Sequence, residues 1–212
     1  MDEIFKELVN RYPLLFSIIE EIEQVGIILV RAFSENKKLM VCGNGGSAAD
    51  SEHIVGELMK SFVKKRPINQ ELTLKLIGVD SIRGNRIAKL LEQGAPAISL
   101  TGTISLATAF SNDVDPQLVF AQQINILGIP GDVFLGISTS GNAENVINAA
   151  IVAKAKGLSV IGLTGKSGGD LIRYCDVCLC APVTNTYLVQ ELHLPIYHSL
   201  CLFVESQLWP DV

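Results

Sequence analysis

His53 and Glu57 lie four residues apart in a stretch, 48–62, whose spacing predicts a helix. At about 100° per residue they are about 40° apart, on one helix face. An imidazole and a carboxylate so placed can share one metal ion or move protons. The plainer alternative is a surface ion pair worth a few tenths of a kcal/mol. Two further histidines, His193 and His198, fall with Gln190 in the apolar stretch 187–207. Burying a histidine there without a partner is unfavourable, so a partner is expected. Gln190 and His198 are eight residues apart, about 80° round a straight helix and ~12 Å along it. They meet one ion only if Pro195 bends the helix or a neighbouring subunit supplies one group.

The elements that must position these groups can be read outward from them. Ahead of His53 runs Leu39-Met40-Val41-Cys42, a buried-strand pattern, and then Gly43-Asn44-Gly45-Gly46-Ser47. Strand, glycine loop and helix N-terminus together make an anion site, because backbone N–H groups point outward there. The loop is neither a Walker A sequence nor a G-x-G-x-x-G fingerprint, so nucleotide binding is not supported. A second polar loop, Ser138-Thr139-Ser140-Gly141-Asn142, follows another apolar run. Ser47 and Asn142 taken singly could be ordinary helix caps. Taken together, two hydroxyl-rich loops after strands favour a shared anion, most simply a phosphate monoester. Lys166 sits in a glycine-rich turn and is given no ligand role. Cys175, Cys178 and Cys180 lack the second half of a metal motif, and their alternation suits strand packing.

Short apolar strands at 38–42, 97–101, 133–137, 159–163 and 177–180 alternate with helical stretches. That order predicts an α/β protein, a three-layer αβα sandwich with about five parallel strands. Ligands in such sheets bind at the carboxyl ends of the strands near the topological switch, where the two loops should converge. Helices are expected at 104–110, 118–127 and 143–156, the last capped by Gly157. Asn112-Asp113 is expected to break the first of these. Segment 63–94 is hard to read, with a turn at 81–85 and a short helix at 87–91. Residues 1–35 form an N-terminal helical segment in two pieces, joined near Pro13. Its broad stripe of Leu8, Leu15, Ile18, Ile22 and Val25 asks for a partner beyond its own sheet.

Composition narrows the function classes. With 212 residues, 48% of them hydrophobic, the chain favours one domain with a large core. Seventeen basic residues stand against 22 acidic ones, and the densest basic cluster is Lys64-Lys65-Arg66, so nucleic acid is excluded as the main partner. The acidic start and the Ser/Thr/Gly/Pro-rich uncharged run 94–112 predict neither a secretory signal nor a membrane span. Five cysteines in apolar runs suggest a reduced, cytoplasmic protein.

In order along the chain stand CGNGGSAAD, His53-x3-Glu57, Asn112-Asp113, GISTSGN at 136–142, and Gln190-Glu191-Leu192-His193 with His198. This set resembles the phosphoheptose isomerases, a family of sugar isomerase (SIS) domain proteins, from Lys38 to about Glu205. The resemblance implies a flavodoxin-like homotetramer with sites at subunit interfaces, converting sedoheptulose 7-phosphate into D-glycero-D-manno-heptose 7-phosphate. It implies zinc held by His53, Glu57, Gln190 and His198, with Glu57 and His198 as the acid–base pair. It implies substrate contacts at Asn44, Gly45, Gly46, Ser47, Asn112, Asp113, Ser138, Thr139, Ser140 and Gln190, as well as Glu57. Two departures stand out: Ala143 where the family usually has serine, and a longer 63–94 segment. A non-catalytic SIS module, such as one that binds a replication initiator, is the alternative. The presence of Glu57, Gln190 and His198 argues for the enzyme.

Overall fold

The computed structural model describes residues 1–210. Its sheet has five parallel strands: β1 (Leu39–Cys42), β2 (Ala97–Ser99), β3 (Val133–Ser138), β4 (Ser159–Thr164) and β5 (Val177–Cys180). They run in the order β2-β1-β3-β4-β5. From β1 the chain goes to one side for β2 and to the other for β3. The carboxyl ends of β1 and β3 therefore flank the switch point, and both polar loops start there.

Strand alternation divides the core into two layers. Leu39, Val41, Leu135, Ile137, Ile161 and Leu163 face one side, where they meet α1 (Glu3–Arg11), α2 (Ile19–Ser34), α3 (Gly46–Met59) and α9 (Thr186–Leu208). Met40, Cys42, Phe134 and Val160 face the other, against α7 (Val119–Leu127) and α8 (Glu144–Ala155). With both faces covered, the strands read as continuous apolar runs, and β1 and β3 are buried throughout.

The N-terminal pieces are joined by a 3₁₀ turn beginning at Pro13, which lacks the N–H an uninterrupted helix would need. Two expectations are corrected in the middle of the chain. Residues 81–85 are not a turn but the start of α5 (Ser81–Ala88), which pairs with α4 (Gln70–Val79) as a helical hairpin. Asp80 caps α5 by accepting from the amides of Ile82 and Arg83 at 3.0 and 2.8 Å. Gly84, which reads as a breaker, is the point where the two helices touch, and a Cβ there would collide with the Leu76 carbonyl. Asn112-Asp113 forms the last residues of α6 (Ile104–Asp113), so the helix runs three residues past the expected Phe110 before it ends there. The break comes just after, at Val114 and at Asp115, which Pro116 holds extended.

The α4–α5 hairpin is tied down at its base rather than along its length. Glu205 of α9 is buried and accepts from the amides of Phe62, Val63 and Lys64 at 2.9–3.2 Å. Its carboxylate also pairs with the buried Arg66 guanidinium at 3.3 Å, which lies 4.2 Å from the Trp209 ring centroid.

Candidate active site

The glycine loop turns sharply out of β1. Gly45 has φ +55°, a left-handed conformation that suits glycine, and it stands as the N-cap of α3. The amides of Ser47, Ala48 and Ala49 close onto the carbonyls of Asn44 and Gly45. Ser47 is buried in the first turn and is not the cap. Gln190 of α9 packs directly on the loop, since a Cβ at Gly46 would clash with its carboxamide.

The second loop, after β3, is braced by its own hydrogen bonds. Gly141 donates to the Ser138 carbonyl, and the Ser140 hydroxyl accepts from the Asn142 amide at 3.1 Å. Gly141 has φ +70° and lies so close to Gly168 that any Cβ would collide with that residue's carbonyl. Asn142 does not cap α8. Its side chain accepts from the Asp170 amide at 2.9 Å and holds the 165–170 turn in place. Thr139 accepts the Gly165 amide through its backbone carbonyl.

The two loops are joined across the switch point by a reciprocal amide pair. Asn44 and Asn145 donate to each other at 2.9 and 3.0 Å. Asn145 is a participant that sequence reading missed. The signal available was an amide one turn beyond the second loop.

Behind the loops, α3 and α9 bring distant residues together. Asp50, His53 and Glu57 follow one stripe of α3, at spacings of three and four. His53 Nε2 lies 3.3 Å from Glu57 Oε1 and 3.4 Å from His198 Nε2. The Phe62 ring packs on His198 with centroids 5.5 Å apart. Lys60 approaches the other Glu57 oxygen at 2.7 Å. Burial works to raise the Glu57 carboxyl, but Lys60 and His53 outweigh it and hold it below its ordinary range. Glu57 is thus ionised at neutral pH. Burial, helped by the neighbouring His53, lowers the His198 pKa, against the pull of Glu57, so its imidazole is neutral.

These separations allow a test of fit to a metal. Two ligands of a tetrahedral ion bound at ~2.1 Å are about 3.4 Å apart. Glu57–His53 and His53–His198 both stand at that spacing. Among the described residues, no three His, Cys, Asp or Glu side chains form a finished cage. The donors are two adjacent ligand pairs sharing His53. Gln190 lies at the loop end of α3, against Gly46, seven residues and about 10 Å of helix rise from His53. α9 continues as one helix through Pro195.

His193, also on α9, faces the sheet instead. It is fully buried, and its Nε2 meets the Thr164 carbonyl at 3.2 Å. Burial lowers its pKa to about 4, against the opposing effect of the hydrogen bond it donates to the Thr164 carbonyl. Asn112 and Asp113 hydrogen-bond each other at 2.9 Å on the exposed end of α6. Cys178 and Cys180 pack beside Thr164 on β5, with sulfurs 3.6 Å apart.

A parallel sheet with two polar loops at its switch point and a His/Glu/His cluster behind them defines a ligand-binding αβα protein of the SIS class. The family model described as SIS domain matches residues 16–89 and 81–165. Phosphoheptose isomerases from Thiobacillus denitrificans and a Nitratiruptor species are 40% and 37% identical, over 88% and 97% of this chain and 83% and 98% of theirs. The solved structure of phosphoheptose isomerase GmhA from Neisseria gonorrhoeae is 30% identical and superposes with a TM-score of 0.74, covering 95% of both chains. The chain belongs to the SIS-domain phosphoheptose isomerase family.

Proposed function

We propose that this protein is a ketose–aldose isomerase that converts sedoheptulose 7-phosphate into D-glycero-D-manno-heptose 7-phosphate. The observation that carries the reading is the ionised Glu57 3.3 Å from His53, which itself lies 3.4 Å from His198, beside two anion-suited loops. The phosphate is assigned to the loops at 43–47 and 138–142. With Ala143 in place of a hydroxyl residue, the second loop offers Ser138, Thr139 and Ser140.

Glu57 removes a proton from C1 of the ketose and returns it to C2, by way of an enediol. His198 gives a proton to the C2 oxygen and takes one from the C1 oxygen, which a neutral imidazole can do in both directions. No hydrogen is lost and no redox partner is needed. The donor spacings fit zinc, with His53, Glu57 and His198 as its holders, and since α9 runs unbroken through Pro195 a Gln190 fourth ligand would come from a neighbouring subunit. Bound there, zinc would polarise the substrate carbonyl. A cytoplasmic homotetramer, its sites completed between subunits, belongs to the same reading. A non-catalytic role is not favoured, since the acid–base set is intact.

Purified protein incubated with sedoheptulose 7-phosphate, with and without added zinc, should form the aldose. Glu57→Gln should lower kcat about 10²–10⁴-fold, the range of a lost general base. No turnover by wild type under either condition, or full rate in the variant, would sink the proposal.

A further inference from the structure

Glu205 is a buried carboxylate that the isomerase reading leaves unused, and it shares a helix face with His198. The two are seven residues apart on α9, about 20° round the helix and ~10 Å along it. Glu205 is 3% exposed and accepts the amides of Phe62, Val63 and Lys64, the first at 2.9 Å. The chain leaving α3 is thereby laid along this face, and the Phe62 ring comes to rest on the His198 imidazole. Arg66 Nε pairs with the same carboxylate at 3.3 Å, and the Arg66 amide donates to the Ser61 hydroxyl at 3.0 Å. The segment is therefore pinned on both sides of Phe62.

Three amide donors and a nearby guanidinium offset the burial of this carboxylate, an arrangement that holds backbone rather than substrate. What it gives the site is the place of one ring. The His198 imidazole packs among three rings, with centroids 5.0 Å away for His53, 5.1 Å for Tyr197 and 5.5 Å for Phe62. His53 and Tyr197 stand on α3 and α9, so the packing of those helices places them. Phe62 lies beyond the end of α3, outside any helix or strand, and the partner of its amide is Glu205. The outer torsion of a histidine side chain is broad, so its neighbours set the ring angle. His198 must reach two oxygens of one substrate, and a misplacement of about 1 Å costs up to about 10²-fold in rate.

We infer that Phe62, set in place by Glu205, is a positioning residue that fixes the angle of the His198 imidazole, with Glu205 acting through it. Its consequence for turnover rests on the isomerase reading, whereas the placement of the ring belongs to the folded chain itself.

The test joins NMR of the full chain to kinetics with sedoheptulose 7-phosphate. Ring-proton signals of His198 are identified by their loss in His198→Gln. Phe62→Leu should shift them, because the aromatic ring current is gone. Glu205→Gln should shift them too, although Phe62 is still present. In turnover, Phe62→Leu should lower kcat roughly 10–100-fold with KM little changed. Phe62→Tyr keeps the ring and should restore most of the rate, which a loss of stability alone would not produce. Glu205→Gln leaves the Arg66 charge buried and unpaired. If that variant does not fold, Glu205→Asp, with the charge on a shorter side chain, is read in its place. His198 signals unmoved in the Glu205 variant overturn the inference, as does a Phe62→Leu enzyme with full kcat or a Phe62→Tyr enzyme no better than Phe62→Leu. If wild type isomerised nothing, the function reading would fail, and the His198 signals would still judge Phe62 and Glu205.

Discussion

At the scale of single residues, the site depends on how Glu57 stays ionised although its side chain is only 15% exposed. Burial alone would favour the neutral acid, and a neutral acid cannot take a carbon-bound proton. Lys60, at 2.7 Å, and His53, at 3.3 Å, reverse that preference. The sign of the consequence follows directly. Replacing Lys60 with methionine removes a cation that favours the charged form, so the Glu57 pKa rises. The acidic limb of the kcat/KM–pH profile should then move to higher pH, with the rate on the alkaline plateau little changed. Lys60 is 59% exposed, so solvent screening keeps the shift modest and salt-dependent. An acidic limb that stays in place in Lys60→Met would show that Glu57 does not set it.

At the scale of elements, α9 does three things along its length. Its first half lays Gln190 on the glycine loop, its middle sets Tyr197 and His198 against α3, and its end clamps the hairpin base through Glu205. His193 holds the helix to the carboxyl end of β4 through Thr164. That contact carries a pH signature. The unfolded chain takes a proton at this residue near the ordinary imidazole value of about 6.5, the folded one only near about 4. Between these values the unfolded state binds more protons, so stability rises with pH. The contribution is complete above about 6.5 and is lost as pH falls towards about 4. Its full span is roughly 3–4 kcal/mol at one pKa unit per 1.4 kcal/mol. His193→Gln keeps a donor for Thr164 but has no titrating group. In denaturant melts, the gap between wild type and this variant should narrow as pH drops through that window. A constant gap would remove His193 from the acid sensitivity of the fold.

For the whole molecule, the decisive feature is apolar surface without a covering element. Leu14, Phe16 and Ile27 are each 60–64% exposed on the N-terminal pieces, and Val79 and Ile82 more so at the hairpin tip. Surface of this kind on helices outside the sheet marks an interface. Self-association through the N-terminal face is therefore expected, in line with sites completed by a neighbouring subunit. Light scattering at micromolar concentration should give a multimer mass for wild type and a smaller one for a Phe16→Glu, Ile27→Lys variant. A monomeric wild type would count against shared sites. Among the described residues no helix is long and apolar enough to cross a membrane.

The strands, the two loops and the helix carrying His53 and Glu57 are written in short-range pattern, and the structure has them within two or three residues of their expected places. Apolar runs bounded by glycine are local signals, and a parallel sheet with both faces covered makes them plain. Local pattern failed where glycine and asparagine serve packing. Gly84 lets α5 touch α4, and Asn142 ties one turn to another, so neither works as the breaker or cap that its type suggests. The sequence by itself determined the αβα class, the family and the pairing of His53 with Glu57 on one helical face. Only the tertiary structure decided that His198 and Tyr197 meet His53 from opposite sides, that Gln190 rests on Gly46, and that Asn145 closes onto Asn44. Those contacts join residues about 100 to 147 positions apart. No periodicity in one segment carries such a distance, because it is set by how two helices cross over the sheet.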